Sequence, residues 1–288
     1  MSANGNGQNR SNMKKYIENQ FNLSEYAEFG DELPIWSAPF GLKLLDYIDY
    51  KSDISVVDIG FGTGFPLTEI AMRLGNDSII YGIDPCMEFI ERVKKKLNVY
   101  DINNVEIIHG VAESIPLKDN SINLITSNNG INNVNDIDKV LSECARIIKK
   151  GGQFLQTMNL DGSMVEFYDI LKETLAELNL LKEIESVNKH ISEKRPDIEI
   201  VKSKIKKSGF KIKDLEYDQF NYQFSNGTAM LNHYFIRIAF MSSWRKILPS
   251  NFVDEIFNIV EEKLNQQARL FGKLRISIPF VLINSIRE

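Results

Sequence analysis

The stretch Ile54–Asp84 reads ISVVDIGFGTGFPLTEIAMRLGNDSIIYGID. Ile54–Asp58 is a short apolar, β-branched run that ends in an acid, a pattern typical of a buried parallel strand. Three alternate glycines follow it, and beyond them the apolar residues recur at helical spacing until another glycine ends the run. A second apolar run, Ile79–Ile83, ends at Asp84. The order strand, glycine turn, helix, strand and acid predicts a βαβ unit.

The residue types at this turn indicate a ligand. Gly60, Gly62 and Gly64 carry no Cβ, so a bound molecule can lie directly against their backbone. Such a turn also directs free amide N–H groups toward whatever lies over the start of the helix. Asp84, at the tip of the neighbouring strand, can accept two hydrogen bonds from a ribose diol. A nucleoside cofactor is therefore expected across the carboxyl ends of the first two strands.

The spacing of the glycines narrows the choice of cofactor. The dinucleotide fingerprint is GxGxxG, whereas this chain has GxGxG with Asp58 two positions before the first glycine. The combination of DIGFGTG with IDP resembles the class I S-adenosylmethionine-dependent methyltransferases. Within that class the chain resembles the small-molecule branch that includes the ubiquinone/menaquinone C-methyltransferases. The specific motifs cover about residues 44–160, and the alternatives are a Rossmann dehydrogenase or a cofactor-free doubly wound domain.

The resemblance implies S-adenosylmethionine as cofactor and S-adenosylhomocysteine as product. In Gly110–Pro116 the family commonly has an acid after the glycine, where this chain has Val111. Backbone groups around Ala112 can still bind the adenine edge, and Glu113 is then the side-chain candidate for the adenine amino group. The predicted cofactor-binding residues are Asp58, Gly60, Gly62, Thr63, Gly64, Asp84, Pro85, Met87, Ala112, Glu113, Asn128 and Asn129.

An asparagine cluster follows the predicted fourth strand. Ser121–Ser127 runs into Asn128–Asn133, which holds four asparagines in six residues. One interpretation is Asx-turn chemistry that leads into the next helix. The other follows from the resemblance, which places Asn129 beside the methionyl part of the cofactor and Asn132 or Asn133 near the transferred methyl group.

The chain between the fifth and seventh predicted strands is longer than the fold needs, and we interpret the excess as a helical cap. Its aromatic and basic residues suit a largely apolar acceptor pocket with a few polar anchors. His233 is the candidate base, because the pKa of histidine lies near working pH, with a structural role as the alternative. Arg195 either pairs with an acidic substrate or is a solvated charge, and Trp36 either covers the sheet edge or closes over the cofactor. The predicted substrate-binding residues are Trp36, His190, Arg195, Tyr234 and Arg237.

Seven strands with helices between the first six predict an α/β, doubly wound, Rossmann-like sheet. The resemblance supplies the order 3-2-1-4-5-7-6 with the last strand antiparallel. Among the later elements we expect one helix over Gly162–Ile184, a break at His190–Pro196 and a sixth strand over Gly209–Leu215. We expect one domain, 1–288, divided into a disordered start (1–12), an N-terminal helical arm (13–40), a cofactor-binding core (41–160), cap elements plus the sixth strand (161–247), and the last helix and strand (248–288).

Composition limits the function classes. With 43% hydrophobic and 25% charged residues, the 288-residue chain can bury a full-sized core. A formal net charge of −5 argues against general affinity for nucleic acid or an anionic membrane. The two cysteines, Cys86 and Cys144, predict neither a disulfide framework nor a metal site. No apolar run approaches the roughly 20 residues of a membrane span, so a cytoplasmic protein without membrane insertion is expected.

The sequence therefore predicts an enzyme that moves a methyl group from S-adenosylmethionine to an O, N, S or C atom of a small molecule. Asp136, Asp138 and Asp161 could be considered for a magnesium site. However, the first two point to opposite sides of a helix start, so no metal is expected. Alternatives are a methyltransferase acting on a protein or nucleic acid, and a non-catalytic S-adenosylmethionine-binding regulator. The sequence does not identify the methyl acceptor. A homodimer is one oligomeric state that we consider.

Overall fold

The structure, a computed structural model, describes residues 22–30, 36–195 and 197–288. The expectations for the disordered start and for the first part of the helical arm lie outside these residues. Of the arm, the structure shows helix α1, Leu23–Phe29, and the start of helix α2, Ser37–Asp46. Asn22 caps α1, because its side chain accepts a hydrogen bond from the Glu25 backbone N–H.

The elements of the core alternate as the sequence predicts. They are β1 Ser55–Ile59, α3 Leu67–Leu74, β2 Ile79–Asp84, α4 Met87–Val99, β3 Val105–His109, β4 Ile122–Asn128, α5 Ile137–Ile147 and β5 Ile148–Asn159. A single 3-10 turn, Ile131–Asn133, joins β4 to α5. Strand β1 is buried at four of its five positions, as a strand with helices on both faces must be.

The remaining elements build the last two strands and the cap. They are α6 Val165–Glu177, α7 Leu181–Lys194, α8 Ile198–Lys207, β6 Phe210–Phe224, α9 Gly227–Asn232, α10 Tyr234–Ile236, a π-helical turn Arg237–Met241, α11 Ser242–Lys246, α12 Val253–Phe271 and β7 Leu274–Arg287. None of the helices in residues 22–30, 36–195 and 197–288 has the length and apolar content that a bilayer crossing requires.

The seven described strands form one sheet in the order β3-β2-β1-β4-β5-β7-β6. The first five strands pair in parallel, and β7 pairs antiparallel with both β5 and β6. The predicted fold class and strand order are confirmed. Because β1 and β4 are neighbours on opposite sides of the crossover point, their carboxyl ends meet where ligands bind in such sheets.

Three boundaries differ from the sequence prediction. The single helix expected over Gly162–Ile184 is two helices, α6 and α7, separated at residues 178–180, and Asn179 there has a left-handed φ of 57°. The helix break expected at His190–Pro196 begins only after Lys194, because α7 continues to that residue. Strand β5 begins at Ile148, which is buried and pairs with Ile122, whereas the helical spacing of Ile137, Val140, Leu141, Cys144 and Ile148 predicts a helix up to that residue.

Strand β6 is the largest difference, since it runs to Phe224 rather than ending at Leu215. Phe220, Tyr222 and Phe224 were predicted as part of the cap, but they alternate with polar residues along this strand. The partner strand β7 extends equally far, and its Pro279 pairs with Gln219. The Pro279 carbonyl accepts a hydrogen bond from the Leu160 N–H just beyond the end of β5, so the missing proline N–H falls outside the β5–β7 ladder.

The cap has its own hydrophobic core at this extended end of the sheet. Trp244 is fully buried, stacks on Phe167 with 3.9 Å between ring centroids, and donates its indole N–H to the Tyr168 hydroxyl at 3.0 Å. The cluster also joins α2 through Phe40, which packs on Phe280 of β7 at 4.8 Å. The cap is therefore packed firmly on the β6–β7 end of the sheet and on α2.

Candidate functional site

The glycine turn after β1 has backbone angles that glycine adopts readily and other residues adopt rarely. Gly60, Gly62 and Gly64 all have positive φ, at 71°, 55° and 108°. A Cβ on Gly60 would lie 3.0 Å from the Cα of Gly130, so this position is closed by the neighbouring loop. A Cβ on Gly62 would meet nothing within 4 Å. The middle of the turn therefore faces open space, and a ligand can approach its backbone there.

Asp84 fixes this turn from the end of β2. Its carboxylate accepts hydrogen bonds from the backbone N–H of Gly62 at 3.0 Å and of Cys86 at 2.9 Å. Burial raises the pKa of Asp84, and these two bonds oppose the rise. The Gly62 amide is thus already used, which corrects the expectation that the turn presents only free N–H groups. Each carboxylate oxygen keeps a further lone pair for a ligand hydroxyl.

Asp58 lies behind the turn in the sheet. Its Oδ1 accepts a hydrogen bond from the Thr126 hydroxyl at 2.7 Å, and its buried Oδ2 has no partner among the described residues. Burial raises the pKa of Asp58 to about 7; the bond from Thr126 opposes this rise and the charge of Asp84 adds to it. The Asp58 side chain thus links β1 to β4 inside the sheet.

The asparagines after β4 form a hydrogen-bonded network. Asn129 has a left-handed φ of 60°, and its Oδ1 accepts from the Asn132 amide and from the Asn159 backbone N–H at 3.3 Å. The Asn132 amide also donates to Asn159 Oδ1 at 3.0 Å, while the buried Asn132 Oδ1 has no partner among the described residues. Asn128 bridges the Ser37 carbonyl and the Thr157 hydroxyl. The network leaves one acceptor, Asn132 Oδ1, for a donor group of a ligand.

A cavity of about 570 Å³ joins the glycine turn to the cap. Its described wall consists of a turn-side group, an asparagine group and a cap-side group. They are, in that order, Gly60–Thr63, Phe65, Phe89 and Lys96; Asn128, Asn129, Asn132, Asn133 and Asn159; and Tyr26, Gly30, Trp36, Ser37, Tyr168, His190, Lys194, Arg195, Phe235, Ala239, Phe240 and Ser243. No Asp or Glu belongs to the described part of this wall.

The cavity brings together ten of the predicted site residues. They are Gly60, Gly62, Thr63, Asn128 and Asn129 for the cofactor, Asn132 and Asn133 for catalysis, and Trp36, His190 and Arg195 for the substrate. Trp36 lines the cavity and also packs on Phe40 at 5.8 Å and on Phe240 at 5.3 Å, and its closing over the cofactor stays a prediction. The binding roles themselves stay predictions.

Other predicted cofactor residues do not line the cavity, namely Asp58, Gly64, Asp84, Pro85, Met87, Ala112 and Glu113. Glu113 instead caps the start of α5, since its Oε1 accepts from the backbone N–H of Asn135 at 2.9 Å and of Asp136 at 3.3 Å. Ala112 is buried and the Met87 side chain is exposed. An adenine site along these residues stays a prediction.

The structure also places three cap residues away from the cavity. His233 lies between α9 and α10, its ring packs edge-on against Phe224 at 5.7 Å, and its buried Nδ1 has no partner among the described residues. The Tyr234 hydroxyl donates to Glu25 of α1 at 2.6 Å, and burial with this bond raises its pKa to about 12. Arg237 does not line the cavity either. His190, not His233, is the histidine of the described cavity wall.

Sequence reasoning missed several residues of the wall. Lys96 of α4 donates its Nζ to the Thr63 carbonyl at 2.7 Å and so holds the glycine turn. Tyr168 forms part of the cap side of the wall, and Tyr26 packs on Phe89 at 5.8 Å to form the α1 side. Their signal was weak, because aromatic residues at helical spacing are equally typical of a core.

The described residues contain no group of three or more His, Cys, Asp or Glu side chains placed to hold a metal ion. The aspartates considered for magnesium have other partners. Asp136 caps α5 by accepting from the Lys139 N–H, and Asp138 pairs with Lys204 of α8. The absence of a metal requirement stays a prediction.

Comparison with known proteins agrees with this geometry. Residues 57–156 match the sequence model of a methyltransferase domain. A demethylmenaquinone methyltransferase of Bacillus mycoides is 30% identical over 120 residues, which cover 42% of this chain and 51% of that protein. The chain thus spans about half the length of the curated relatives it matches.

Solved structures share the fold. The YcgJ protein of Bacillus subtilis superposes with a TM-score of 0.57 at 18% identity, covering 87% of this chain and 98% of that one. A geranyl diphosphate methyltransferase in complex with S-adenosylmethionine gives a TM-score of 0.55 at 14% identity, covering 95% and 94%. At these identities the likeness concerns the fold alone.

Residues 57–156 thus match a methyltransferase domain, and the sheet has the order expected for a Rossmann-like methyltransferase fold, which confirms the predicted resemblance to the class I S-adenosylmethionine-dependent methyltransferases. Within this class the sequence resembles the demethylmenaquinone methyltransferases.

Proposed function

We propose that this protein transfers the methyl group of S-adenosylmethionine to a small molecule held under the cap. The observation that carries the proposal is the single cavity that reaches from the glycine turn to the aromatic side chains of the cap. Catalysis of this kind needs two reactants held next to each other, and one continuous cavity meets that requirement. We also propose that the protein is cytoplasmic and forms a homodimer.

The residues at the turn fit the methionyl half of the cofactor. Open space lies over Gly62, and the unpartnered Asn132 Oδ1 is an acceptor for a cofactor amino group. Asp84 would hold the ribose hydroxyls through its remaining lone pairs. When bound, S-adenosylmethionine would supply an electrophilic methyl group on a sulfonium sulfur, open to in-line displacement by an acceptor atom.

The chain itself would orient the acceptor, exclude water and take up a proton. Trp36, Phe240 and Tyr168 form an apolar wall that excludes water from the acceptor. Burial lowers the pKa of His190, and the nearby charges of Arg195 and Lys194 lower it further. The imidazole is therefore neutral at pH 7 and can accept a proton from an acceptor hydroxyl, phenol or carbon acid. We propose His190 in the role that the sequence assigned to His233.

Two measurements test the proposal. Titration calorimetry with S-adenosylhomocysteine should give saturable one-site binding, and NAD should not compete with it. Incubation with methyl-labelled S-adenosylmethionine and a metabolite extract should then label a small molecule. Label on protein or nucleic acid in the same extract would favour the macromolecular alternative. Tight S-adenosylhomocysteine binding with no labelled product would favour the non-catalytic regulator.

A further inference from the structure

The end of helix α7 gives the cavity a basic side. His190, Lys194 and Arg195 all lie on the wall that the cap contributes. No acidic side chain belongs to the wall within residues 22–30, 36–195 and 197–288. The described part of the cap side therefore carries basic side chains and no acidic one, although the chain as a whole has a formal net charge of −5.

Arg195 is the unusual member of this group because it is buried. Its side chain is 5% exposed, and its Nε and Nη1 atoms have no hydrogen-bond partner among the described residues. A guanidinium group stays protonated under all ordinary conditions. A buried charge without a partner is strongly unfavourable, so its retention at a cavity wall indicates a ligand that supplies the opposite charge.

The guanidinium group is also held in one place. Its central carbon lies 5.2 Å from the centroid of the Tyr168 ring, in cation–π geometry. Tyr168 in turn receives the Trp244 indole hydrogen bond, and Trp244 is fully buried. The Arg195 backbone N–H ends α7 by donating to the Ile191 carbonyl at 3.0 Å. A fixed, planar fork of donors matches the two oxygens of a carboxylate or phosphate.

We propose that Arg195 binds an anionic group, a carboxylate or phosphate, on the methyl acceptor. The apolar remainder of the acceptor then lies against Trp36 and Phe240, toward the glycine turn. This inference rests on the proposed function and narrows its substrate class to anionic molecules with an apolar body. Lys194, on the same wall, adds to the attraction for an anion.

The test measures binding of simple probes to protein saturated with S-adenosylhomocysteine. Phenyl phosphate and phenylacetate carry the two anionic groups on an apolar ring, and benzyl alcohol is the neutral counterpart. We expect at least one anion to bind more tightly than benzyl alcohol in the wild-type protein. Arg195→Met, which keeps the apolar length of the side chain, should weaken that anion at least about tenfold, as expected for loss of charged hydrogen bonds.

Lys189→Met is the matched control. Lys189 is on the same helix, its side chain is 76% exposed, and it does not line the cavity. The Lys189→Met variant should bind the anion and S-adenosylhomocysteine with the affinities of the wild type. Circular dichroism and urea unfolding establish that both variants are folded.

The outcomes separate this inference from the proposed function. If the wild type fails to bind S-adenosylhomocysteine, the proposed function is wrong. If it binds S-adenosylhomocysteine but neither anion better than benzyl alcohol, only the anionic acceptor site is contradicted. Unchanged anion binding in Arg195→Met also contradicts it. A parallel loss of S-adenosylhomocysteine affinity in Arg195→Met would assign this arginine to the cofactor carboxylate and overturn the inference.

Discussion

The carboxylate of Asp84 accepts a hydrogen bond from the backbone N–H of Gly62 at 3.0 Å, so the acid at the end of β2 holds the middle of the glycine turn. Replacing Asp84 by Ala removes this support together with the proposed acceptor for the ribose. We expect the affinity for S-adenosylhomocysteine to fall at least about tenfold, because each charged hydrogen bond contributes about 1.5–3 kcal/mol. Titration calorimetry measures the change. Asp77→Ala, at an exposed position before the other end of β2, is the control, and equal affinities in the two variants would contradict the prediction.

A methyl group on Gly62 should block the cofactor site. The φ of 55° makes Gly62→Ala strained by roughly 1–2 kcal/mol, and the added Cβ would enter the open space over the turn. We expect S-adenosylhomocysteine binding to be lost in a folded protein. Gly272→Ala is the control, since Gly272 at the end of α12 has a left-handed φ of 75° and a Cβ there would also meet nothing within 4 Å. Similar loss of stability in both variants with binding retained in both would show that no ligand lies over Gly62.

The Val111→Asp substitution tests the expected adenine loop. Val111 is 45% exposed, so an aspartate there displaces no core contact and should change the free energy of unfolding by no more than about 0.5 kcal/mol. It restores the acid that the family commonly has, so the affinity for S-adenosylhomocysteine should stay the same or increase. Titration calorimetry measures the affinity of this variant. The control is Val99→Asp, because Val99 is 75% exposed at the end of α4. A large loss confined to Val111→Asp would mean that the Val111 side chain makes an apolar contact needed for binding, and it would contradict the prediction.

The two cap histidines should separate in a kinetic experiment. With the acceptor identified by methyl labelling, His190→Gln should lower kcat at least about tenfold if it removes the base, while the affinity for S-adenosylhomocysteine stays unchanged. His233→Gln should leave kcat near the wild-type value, because His233 does not line the cavity. The pH profile of wild-type kcat/KM should rise through a pKa below the ordinary histidine value. A loss of turnover in His233→Gln alone would return the base to the position that the sequence suggested.

Asp58 should make the stability depend on pH. Its pKa is about 7 in the folded protein and about 4 in the unfolded chain, so between these values the folded state binds more protons. The contribution of Asp58 to the free energy of unfolding therefore falls as pH rises from about 4 to 7, by at most about 1.4 kcal/mol per pH unit, and is constant above that range.

Urea unfolding of the wild type and of Asp58→Asn, at a series of pH values, measures this effect. The difference in free energy of unfolding should shift in favour of the asparagine variant as pH rises to about 7. Groups that do not interact with Asp58 contribute equally in both proteins and cancel in the difference, whereas Asp84, whose charge adds to the raised pKa of Asp58, cancels only in part. Parallel pH curves would mean that the pKa of Asp58 is the same in the folded and unfolded states, which contradicts the prediction.

The local pattern of Ile54–Asp84 was enough to predict the βαβ unit, and β1, α3 and β2 lie where its periodicity indicates. This works because both strands are buried on two faces, and a continuous apolar run next to glycines has few other solutions. The strand order needed the resemblance as well, since no local pattern specifies which strands pair. Strand β6 shows a limit of a different kind. The alternation of Phe220, Tyr222 and Phe224 was present in the sequence, but aromatic residues suit a cap as well as a strand.

Only the tertiary structure decided which residues share the cavity. His190 and His233 are indistinguishable in the sequence, yet one lies on the wall and the other packs on Phe224. Arg195 likewise could be a solvated charge until the structure buried it on Tyr168 without a partner among the described residues. Periodicity reports the face of an element that is buried. Whether that face meets a core or a ligand depends on contacts between residues far apart in the chain, and these exist only once the cap has packed on the sheet.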